Sequence, residues 1–531
     1  METYGSLVYV LLFLAPFLLV YRIVPVQEKR YVLLAGNLIF FWWISGIRIV
    51  YIVGTAVVTY LTGFGIGMLQ EKRNAALSHA EKADRKSITE ASRKKQKGLM
   101  LTGLLFVLGL LLVLKYTGFA VEILDDILAK VMPGMFLTPP TILAPIGLSF
   151  YTLEAIAYLV DVYRETVKPE SNFLRLFLFL SFFPKLMEGP ICRYEPLAHS
   201  LWDGGEMTRE GFLRGSMRIF FGLFKKVMIA DRLNPLLDHV FLHYMEYDNG
   251  VMNWIATLFY MIQLYCEFSG SIDVVIGSAE IMGISLPENF TQPFFSKNIS
   301  EFWTRWHITL GTWFRDYIFY PMSLSKPLKN LTKSARKKLG NHYGPLIAGA
   351  IALFIVWFCN GLWHGAGWRY IFFGMYHFVL ILCGNLIEYP ARIVTEKLHI
   401  DRQSRPYKAF QIVRTFILVV VGELFFRAHG LSAGLIMFKQ LFTRLSFDWI
   451  TSGRIFTLGM DRMDFVLAGL AVLVLLVVDI LKERGVDIRG KILDMPVPAR
   501  IVLCTAAVLL VVMFGAYGLN YTPVMPIYVN F

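Results

Sequence analysis

The chain has 531 residues, of which 56% are hydrophobic, 15% aromatic and only 17% charged. With a mean hydropathy of +0.54, this composition excludes an ordinary water-soluble domain, in which about a quarter of the residues are charged. The formal net charge of +13 is concentrated in loops, so it requires no nucleic-acid partner. The composition therefore predicts a protein whose solvent is the lipid bilayer.

Uncharged stretches long enough to cross a hydrocarbon core, which takes about 20 helical residues, recur along the chain. The longest are residues 3–21, 49–70, 132–153, 249–266, 345–368, 370–387 and 501–531. Shorter candidates lie near residues 31–47, 98–114, 173–183, 219–229, 415–422 and 465–478. We count roughly 11 to 13 membrane segments, re-entrant ones included. Lipid offers backbone groups no hydrogen-bond partner, so the predicted fold class is an all-α polytopic protein of the cytoplasmic membrane.

Two polar segments of the chain are strongly basic. Residues 71–97 contain nine Lys/Arg against four acids, and residues 325–344 contain six against none. Basic loops of multi-pass proteins face the cytoplasm, so the segments 70–98 and 325–344 are predicted to be cytoplasmic. A basic loop beside a site would also attract an anionic donor such as a coenzyme A phosphate. No long polar linker divides the chain, which predicts one integral membrane domain over residues 1–531.

Residues 292–320 are too polar to cross lipid and yet rich in aromatic side chains. We expect such a segment at the membrane interface or lining a protected cavity. It contains His307, with Arg305, Trp306 and Asp316 nearby. A histidine in this setting could anchor the structure, position a substrate or act in catalysis, and the residues alone leave these alternatives open.

A second histidine, His364, lies in an otherwise apolar run that also contains Asn360 and Trp363. A charged imidazole is costly in a hydrophobic segment, so His364 is predicted to be neutral, with one ring nitrogen able to accept a proton. A general base needs such a nitrogen. The alternative is a buried hydrogen bond between helices, which is an equally good account of a lone membrane histidine.

Two motifs around these histidines make the pattern specific. The first is FWxRWHIxLxxWxRDY from Phe302 to Tyr317, and the second is Gly-Leu-Trp-His-Gly at residues 361–365, followed by Trp368 and by Gly-Met-Tyr-His at 374–377. On these motifs the sequence resembles the membrane-bound O-acyltransferase superfamily, in particular the bacterial branch with the alginate O-acetylation membrane protein and the D-alanyl transfer protein DltB. Further matching blocks lie at residues 145–151, 183–190, 267–270 with Asp273, 425–428 and 526–531.

The resemblance implies a ring of membrane helices around a central tunnel, with His364 as the catalytic histidine and His307 as a second functional histidine nearby. It implies an acyl donor that enters from the cytosol, which we expect to be acetyl-CoA, and no tightly bound cofactor or metal. The side chains predicted to contact substrate are Trp306, Arg305, Asp316, Trp363 and Asn360.

The function expected from this resemblance is transfer of an acyl group, acetyl in our interpretation, to a cell-envelope polysaccharide. No extracellular segment is long enough to hold a polymer, so a secreted or membrane-anchored acetyltransferase is the expected relay partner. D-alanyl transfer to teichoic acid is the alternative within the family, and a transporter, a flippase or an inert scaffold are the alternatives outside it. A transporter is disfavoured because no internal repeat is found. The family pattern is broken at residues 271–272 and 321–325, which leaves the acceptor polymer open.

Overall fold

The structure is a computed structural model, and it describes residues 4, 6, 8–132, 134–140, 142–247, 249–517, 521 and 524. Every regular element in these ranges is a helix, and one isolated antiparallel bridge joins Phe290 to Trp306 without forming a strand. The predicted all-α class is therefore confirmed. The terminal motif at residues 526–531 lies outside the described residues.

The helices divide into an earlier and a later set along the chain. The earlier set is α1 (Ala15–Ile23), α2 (Lys29–Ser45), α3 (Ile49–His79), α4 (Arg85–Val131), α5 (Leu148–Arg164), α6 (Phe173–Ser181), α7 (Tyr194–Asp203), α8 (Arg209–Phe224), α9 (Asp231–Leu242) and α10 (Gly250–Ile281). The later set is α11 (Ile299–Arg305), α12 (Ile308–Phe314), α13 (Tyr320–Ser323), α14 (Lys326–His364), α15 (Trp368–Lys397), α16 (Arg405–Arg427), α17 (Leu431–Gln440), α18 (Asp448–Thr451), α19 (Arg462–Glu483), α20 (Ile488–Leu493) and α21 (Val497–Phe514).

Seven helical stretches among the described residues are long and apolar enough to cross a membrane. They are Val26–His79, Arg85–Val131, Lys326–His364, Trp368–Lys397, Arg405–Arg427, Arg462–Glu483 and Val497–Phe514. The chain is therefore a multi-pass membrane protein. Apart from residues 132–153, the other predicted segments fall on shorter or more polar helices, and the total of roughly 11 to 13 remains a prediction.

The long helices expose large apolar side chains that a water-soluble protein would bury. Only 6% of the apolar window of α21 and 28% of that of α19 are buried in the protein. Leu473 and Val474 on α19 and Leu510 on α21 are exposed. Lipid acyl chains are as apolar as these side chains, so such surfaces are stable in a bilayer.

The segment predicted at residues 132–153 is not one continuous helix, contrary to the hydropathy expectation. Helix α4 ends at Val131, and α5 begins only at Leu148. Pro139, Pro140 and Pro145 in between lack the amide hydrogen that a helix interior needs. Gly147, the residue before α5, has a left-handed φ of 80°, which glycine adopts without strain. Backbone chemistry overrides apolar composition at this point.

The described residues form two compact units. One contains residues 1–215 and 275–287, and the other contains residues 216–274 and 288–527. In the first unit α3, α4 and α5 pack against one another. In the second unit α14 packs along α15, α15 along α16, and α11 against both α15 and α16. All the predicted site residues belong to the second unit, and the single domain over 1–531 remains a prediction.

The two basic segments are largely helical. Residues 71–97 form the end of α3 and the start of α4, joined by a turn at residues 80–84. Residues 326–344 form the first turns of α14, which are interrupted at Gly340 by a non-helical backbone with φ 75° and ψ −179°. Each basic segment therefore lies at the end of a long apolar helix, where Lys/Arg excess orients a span.

We expect both basic segments to be cytoplasmic, and cysteine labelling tests this. In a background with the exposed Cys383 replaced by serine, Ser87→Cys and Ser334→Cys should resist a membrane-impermeant thiol reagent in intact cells. His429→Cys, beyond the opposite end of the 23-residue α16, should react as the outward control, because α16 spans about 35 Å. Strong labelling at position 87 or 334 would overturn the topology.

Candidate active site

His364 lies at the corner between two long helices. It is the last residue of α14, whose end is marked by a bond from the amide of Gly365 to the carbonyl of Leu362 at 3.1 Å. Helix α15 begins four residues later, at Trp368. The two helices approach closely here, because a Cβ added to Gly361 would lie only 2.5 Å from the carbonyl oxygen of Tyr370. The short corner and the close helix contact fix the position of His364.

Aromatic rings from three helices surround His364. Its imidazole centroid lies 5.0 Å from Trp363, 5.9 Å from Phe373 and 5.3 Å from Phe426. The side chain is buried, with 5% of the residue exposed. An imidazole in such surroundings is expected to be neutral, which leaves a nitrogen able to accept a proton.

His307 occupies a strained position between two short helices. It follows α11 and precedes α12, and its φ of 47° places it in the left-handed region that non-glycine residues seldom adopt. The residue is 2% exposed, and burial lowers the pKa of the imidazole to about 3. His307 is therefore neutral at physiological pH. Its backbone strain is the kind that folded proteins retain at functional sites.

The hydrogen bonds of Asn289 define the tautomer of His307. The side-chain oxygen of Asn289 accepts from the backbone amide of Thr309 at 3.1 Å and from its hydroxyl at 2.9 Å. A backbone amide can only donate, so the Asn289 atom facing it is the oxygen. The same oxygen lies 3.2 Å from Nδ1 of His307, which must therefore carry the proton. Nε2 is then the acceptor nitrogen of His307.

The two histidines meet at one indole ring. The ring centroid of Trp363 lies 5.6 Å from that of His307 and 5.0 Å from that of His364. Trp363 adjoins His364 in sequence but is remote from His307, so this contact is made by the tertiary structure. The two motifs predicted from sequence therefore converge on a single buried centre.

A third histidine, His377, is separated from His364 by the ring of Phe373, which contacts both. Its Nδ1 accepts a hydrogen bond from Nε1 of Trp303 at 3.3 Å, and its ring contacts Phe373 at 4.8 Å. Phe373 in turn contacts His364. His377 is fully buried and ties α11 to α15. The bond to Trp303 positions the helix that leads to His307.

Two of the predicted substrate contacts have contrasting surroundings. Asn360 is 7% exposed and lies four residues before His364, on the same face of α14. Its side-chain oxygen has no hydrogen-bond partner among the described residues, which favours a polar ligand there. Trp306 instead packs its indole against Phe290 at 5.0 Å and Phe302 at 5.5 Å. This packing gives Trp306 a structural role in supporting the backbone that precedes His307.

Arg305 and Asp316 both form ion pairs with charged neighbours. Arg305 forms ion pairs with Glu301 at 2.9 Å and Glu483 at 2.7 Å. Asp316 pairs with the adjacent Arg315 at 3.0 Å, and the side chains of both are substantially exposed. Substrate binding by either residue remains a prediction.

Several residues of the centre were not predicted from sequence. Phe268 contacts the ring of His307 at 4.9 Å, Phe373 and Phe426 enclose His364, and Asn289 fixes the tautomer of His307. Phe268 and Phe426 lie within the matching blocks at residues 267–270 and 425–428, so the sequence contained a signal that could have identified them as site residues. Asn289 lies outside those blocks, and only the fold brings it to His307. The described residues contain no cluster of three His, Cys, Asp or Glu placed to hold a metal ion.

The fold and the centre define a multi-pass membrane protein with two buried histidines around one buried indole. A family model described as MBOAT, membrane-bound O-acyltransferase family, matches residues 165–336. The chain is 32% identical to the "Probable alginate O-acetylase AlgI" of Pseudomonas aeruginosa, over 83% of this chain and 75% of the relative. The chain therefore belongs to the membrane-bound O-acyltransferase family.

Two further relatives carry different names. The "Peptidoglycan O-acetyltransferase" of Helicobacter pylori is 30% identical over 56% of this chain and 57% of its own length. The "Teichoic acid D-alanyltransferase" of Bacillus subtilis is 31% identical over 50% of this chain and 67% of its own length. The names of these relatives therefore specify different acceptors and different acyl groups.

Proposed function

We propose that this protein transfers an acetyl group from a cytosolic thioester to a hydroxyl group on the way to a cell-envelope polysaccharide. The observation that carries the proposal is the placement of His364 at the α14–α15 corner, buried among aromatic rings and sharing Trp363 with His307. The match to the alginate O-acetylase relative covers 83% of this chain, whereas the match to the D-alanyltransferase relative covers 50%. The longer match supports acetyl as the transferred group.

The proposed chemistry is general-base acyl transfer. The acceptor hydroxyl attacks the thioester carbonyl carbon while a ring nitrogen of His364 takes the hydroxyl proton. A C–O bond forms, the C–S bond breaks, and the proton passes from the imidazole to the leaving thiolate. No redox partner or net proton source is required. His307 is proposed to position substrate through its acceptor Nε2, and Asn360 is proposed to contact the reacting acyl group.

The proposed acceptor is a relay partner, a secreted or membrane-anchored acetyltransferase that carries the group onward. The segments of the chain that are both long and polar are basic and assigned to the cytoplasm. A separate protein is therefore proposed to select the polymer. A hydroxyl side chain on that partner would serve as the immediate nucleophile.

Reconstitution tests this proposal. Purified protein in liposomes, supplied with acetyl-CoA on one side and polysaccharide on the other, should release free thiol and acetylate polymer only when a candidate partner is added. Efficient polymer acetylation by the protein alone would contradict the relay step. Absence of thiol release under every condition would contradict the acetyl-CoA donor.

D-alanyl transfer is a second candidate function, favoured by the match to the Bacillus subtilis relative. The same reconstitution discriminates between the two. A D-alanyl carrier protein presented on the donor side would then replace acetyl-CoA as the productive substrate, and acetyl-CoA would leave the acceptor unmodified.

A further inference from the structure

The first part of α14, residues 326–339, is set apart from the apolar remainder of that helix. Pro327 lies in its first turn, where a missing amide hydrogen is tolerated. Beyond its end, Gly340 has a φ of 75°, the left-handed conformation with which glycine commonly terminates a helix. The bend is sharp, because a Cβ added to Gly344 would lie only 2.6 Å from the Cα of Arg336. In a continuous helix these two residues would be separated by about 12 Å along the axis.

This segment, which we call the basic helix, carries positive charge alone. It contains no Asp or Glu, and its six cationic residues are Lys326, Lys329, Lys333, Arg336, Lys337 and Lys338. All six are exposed, and no ion pair joins any of them to a carboxylate among the residues that the structure describes. The sequence has no acidic residue between Asp316 and Glu388. The counter-charge of the basic helix therefore has to come from outside this part of the chain.

The apolar residues of the basic helix form one stripe. They recur at intervals of three, four and four residues, which keeps them on one side of a helix with 3.6 residues per turn, and they are Leu328, Leu331, Ala335 and Leu339. Leu331 is 37% exposed and Leu339 is 49% exposed. The protein itself therefore leaves much of this stripe uncovered.

The opposite face of the basic helix is cationic. Lys329, Lys333 and Arg336 are turned by about 140–160° from Leu331, at about 100° per residue. An exposed apolar stripe opposite a row of Lys and Arg is typical of a helix that lies in the membrane interface, with its apolar side among the acyl chains. Anionic lipids of the cytoplasmic leaflet attract such basic segments.

We propose that the basic helix binds anionic phospholipids at the cytoplasmic surface of the membrane. Leu331 and Leu339 enter the acyl region, and the Lys and Arg side chains contact the lipid phosphates. The bend at Gly340 turns the basic helix away from the axis of the span and into the plane of the interface. The ligand is a lipid rather than a water-soluble anion, because the exposed apolar stripe requires acyl chains beside the phosphates.

Quenching by brominated lipids tests which face of the basic helix enters the bilayer. The full chain, with the exposed Cys383 replaced by serine, carries a nitrobenzoxadiazole probe at Leu331→Cys or, as the matched control, at Lys333→Cys. It is reconstituted in vesicles of phosphatidylcholine and phosphatidylglycerol. Lipids brominated on their acyl chains should quench the probe at position 331 at least about threefold more than the probe at position 333. Equal quenching at both positions would overturn the proposal.

Lipid selectivity is measured in the same vesicles by energy transfer from a donor at Ser334→Cys. The acceptor is a labelled phosphatidylglycerol, compared with phosphatidylcholine that carries the same label. Phosphatidylglycerol should be enriched at least about fivefold near the native basic helix, because each cation at an anionic surface contributes about that factor to binding. Lys329→Gln/Lys333→Gln/Arg336→Gln should lower the enrichment at least about threefold, and about 1 M salt should lower it as well.

The matched control is Lys86→Gln/Lys94→Gln/Lys95→Gln, which removes the same charge from residues 71–97, a segment that also contains four acids. Enrichment at position 334 should stay within about 1.5-fold of its original value, because charges distant from the basic helix are screened. An equal loss in both triple variants would assign the effect to net charge and overturn the proposal. Absence of any enrichment, with capture of an acidic protein by the same cations, would assign the basic helix to a protein partner and also overturn it. Neither readout involves acyl transfer, so failure of the lipid site and failure of the proposed function are distinguishable.

Discussion

His364→Ala is expected to reduce acyl transfer by at least about 100-fold while leaving the protein folded. The variant removes the proposed general base, whose contribution to such reactions is typically 10²–10⁴-fold. The side chain packs against Trp363, Phe373 and Phe426, and its removal leaves only a modest cavity among these rings. Transfer is measured as thiol released from the thioester donor by purified, reconstituted protein.

The matched control for this variant is His243→Ala. His243 has a half-exposed side chain that contacts Glu246, so the same substitution there should leave turnover unchanged. Both variants should elute as monodisperse proteins with similar thermal unfolding. Near-normal turnover of well-folded His364→Ala would remove His364 from the mechanism.

Asp273→Ala is expected to cost about 3–5 kcal/mol of unfolding free energy, the largest stability change we predict. Asp273, on α10, forms ion pairs with the guanidinium of Arg218 at 2.9 Å and with the ammonium of Lys225 at 2.6 Å. The Lys225 side chain is 4% exposed and also donates to Ser269 at 2.8 Å. Removing the carboxylate leaves a buried ammonium without its direct ion-pair partner, which is costly in a low dielectric.

Glu288→Ala is the control, because Glu288 binds the same guanidinium from the surface. Its two oxygens lie 2.7 and 2.6 Å from Arg218, but its side chain is 53% exposed. The expected cost is below about 1 kcal/mol. Unfolding by denaturant in detergent micelles measures both variants. Equal losses would show that burial does not set the strength of this network.

A double variant separates two effects of Asp273→Ala: the loss of the ion pair and the cost of leaving the buried Lys225 unpaired. Lys225→Met/Asp273→Leu removes both charges and keeps apolar volume, so it should be more stable than Asp273→Ala by at least about 1 kcal/mol. If the double variant were less stable than the single one, the remaining contacts of Lys225, such as its bond to Ser269, would outweigh the cost of burying its charge.

The amino-acid sequence alone was enough to predict the all-helical membrane class and to identify His307 and His364 as candidate site residues. Apolar stretches of span length can only be helical in lipid, because the backbone must satisfy its own hydrogen bonds there, and the described structure is all-helical. The motifs around His307 and His364 are contiguous in sequence, so both could be recognised without a fold. Hydropathy failed at residues 132–153, where prolines interrupt a segment whose side chains are apolar enough to span.

Only the tertiary structure decided which side chains share a site. The contacts of His307 with Phe268, Asn289 and Trp363 join residues from separate elements of the chain. The pairing of Asp273 with Lys225 arises in the same way. Local sequence specifies helix formation and lipid exposure because these depend on backbone bonding and side-chain polarity within one segment. Contacts between segments depend on how helices pack, and no single segment contains that information.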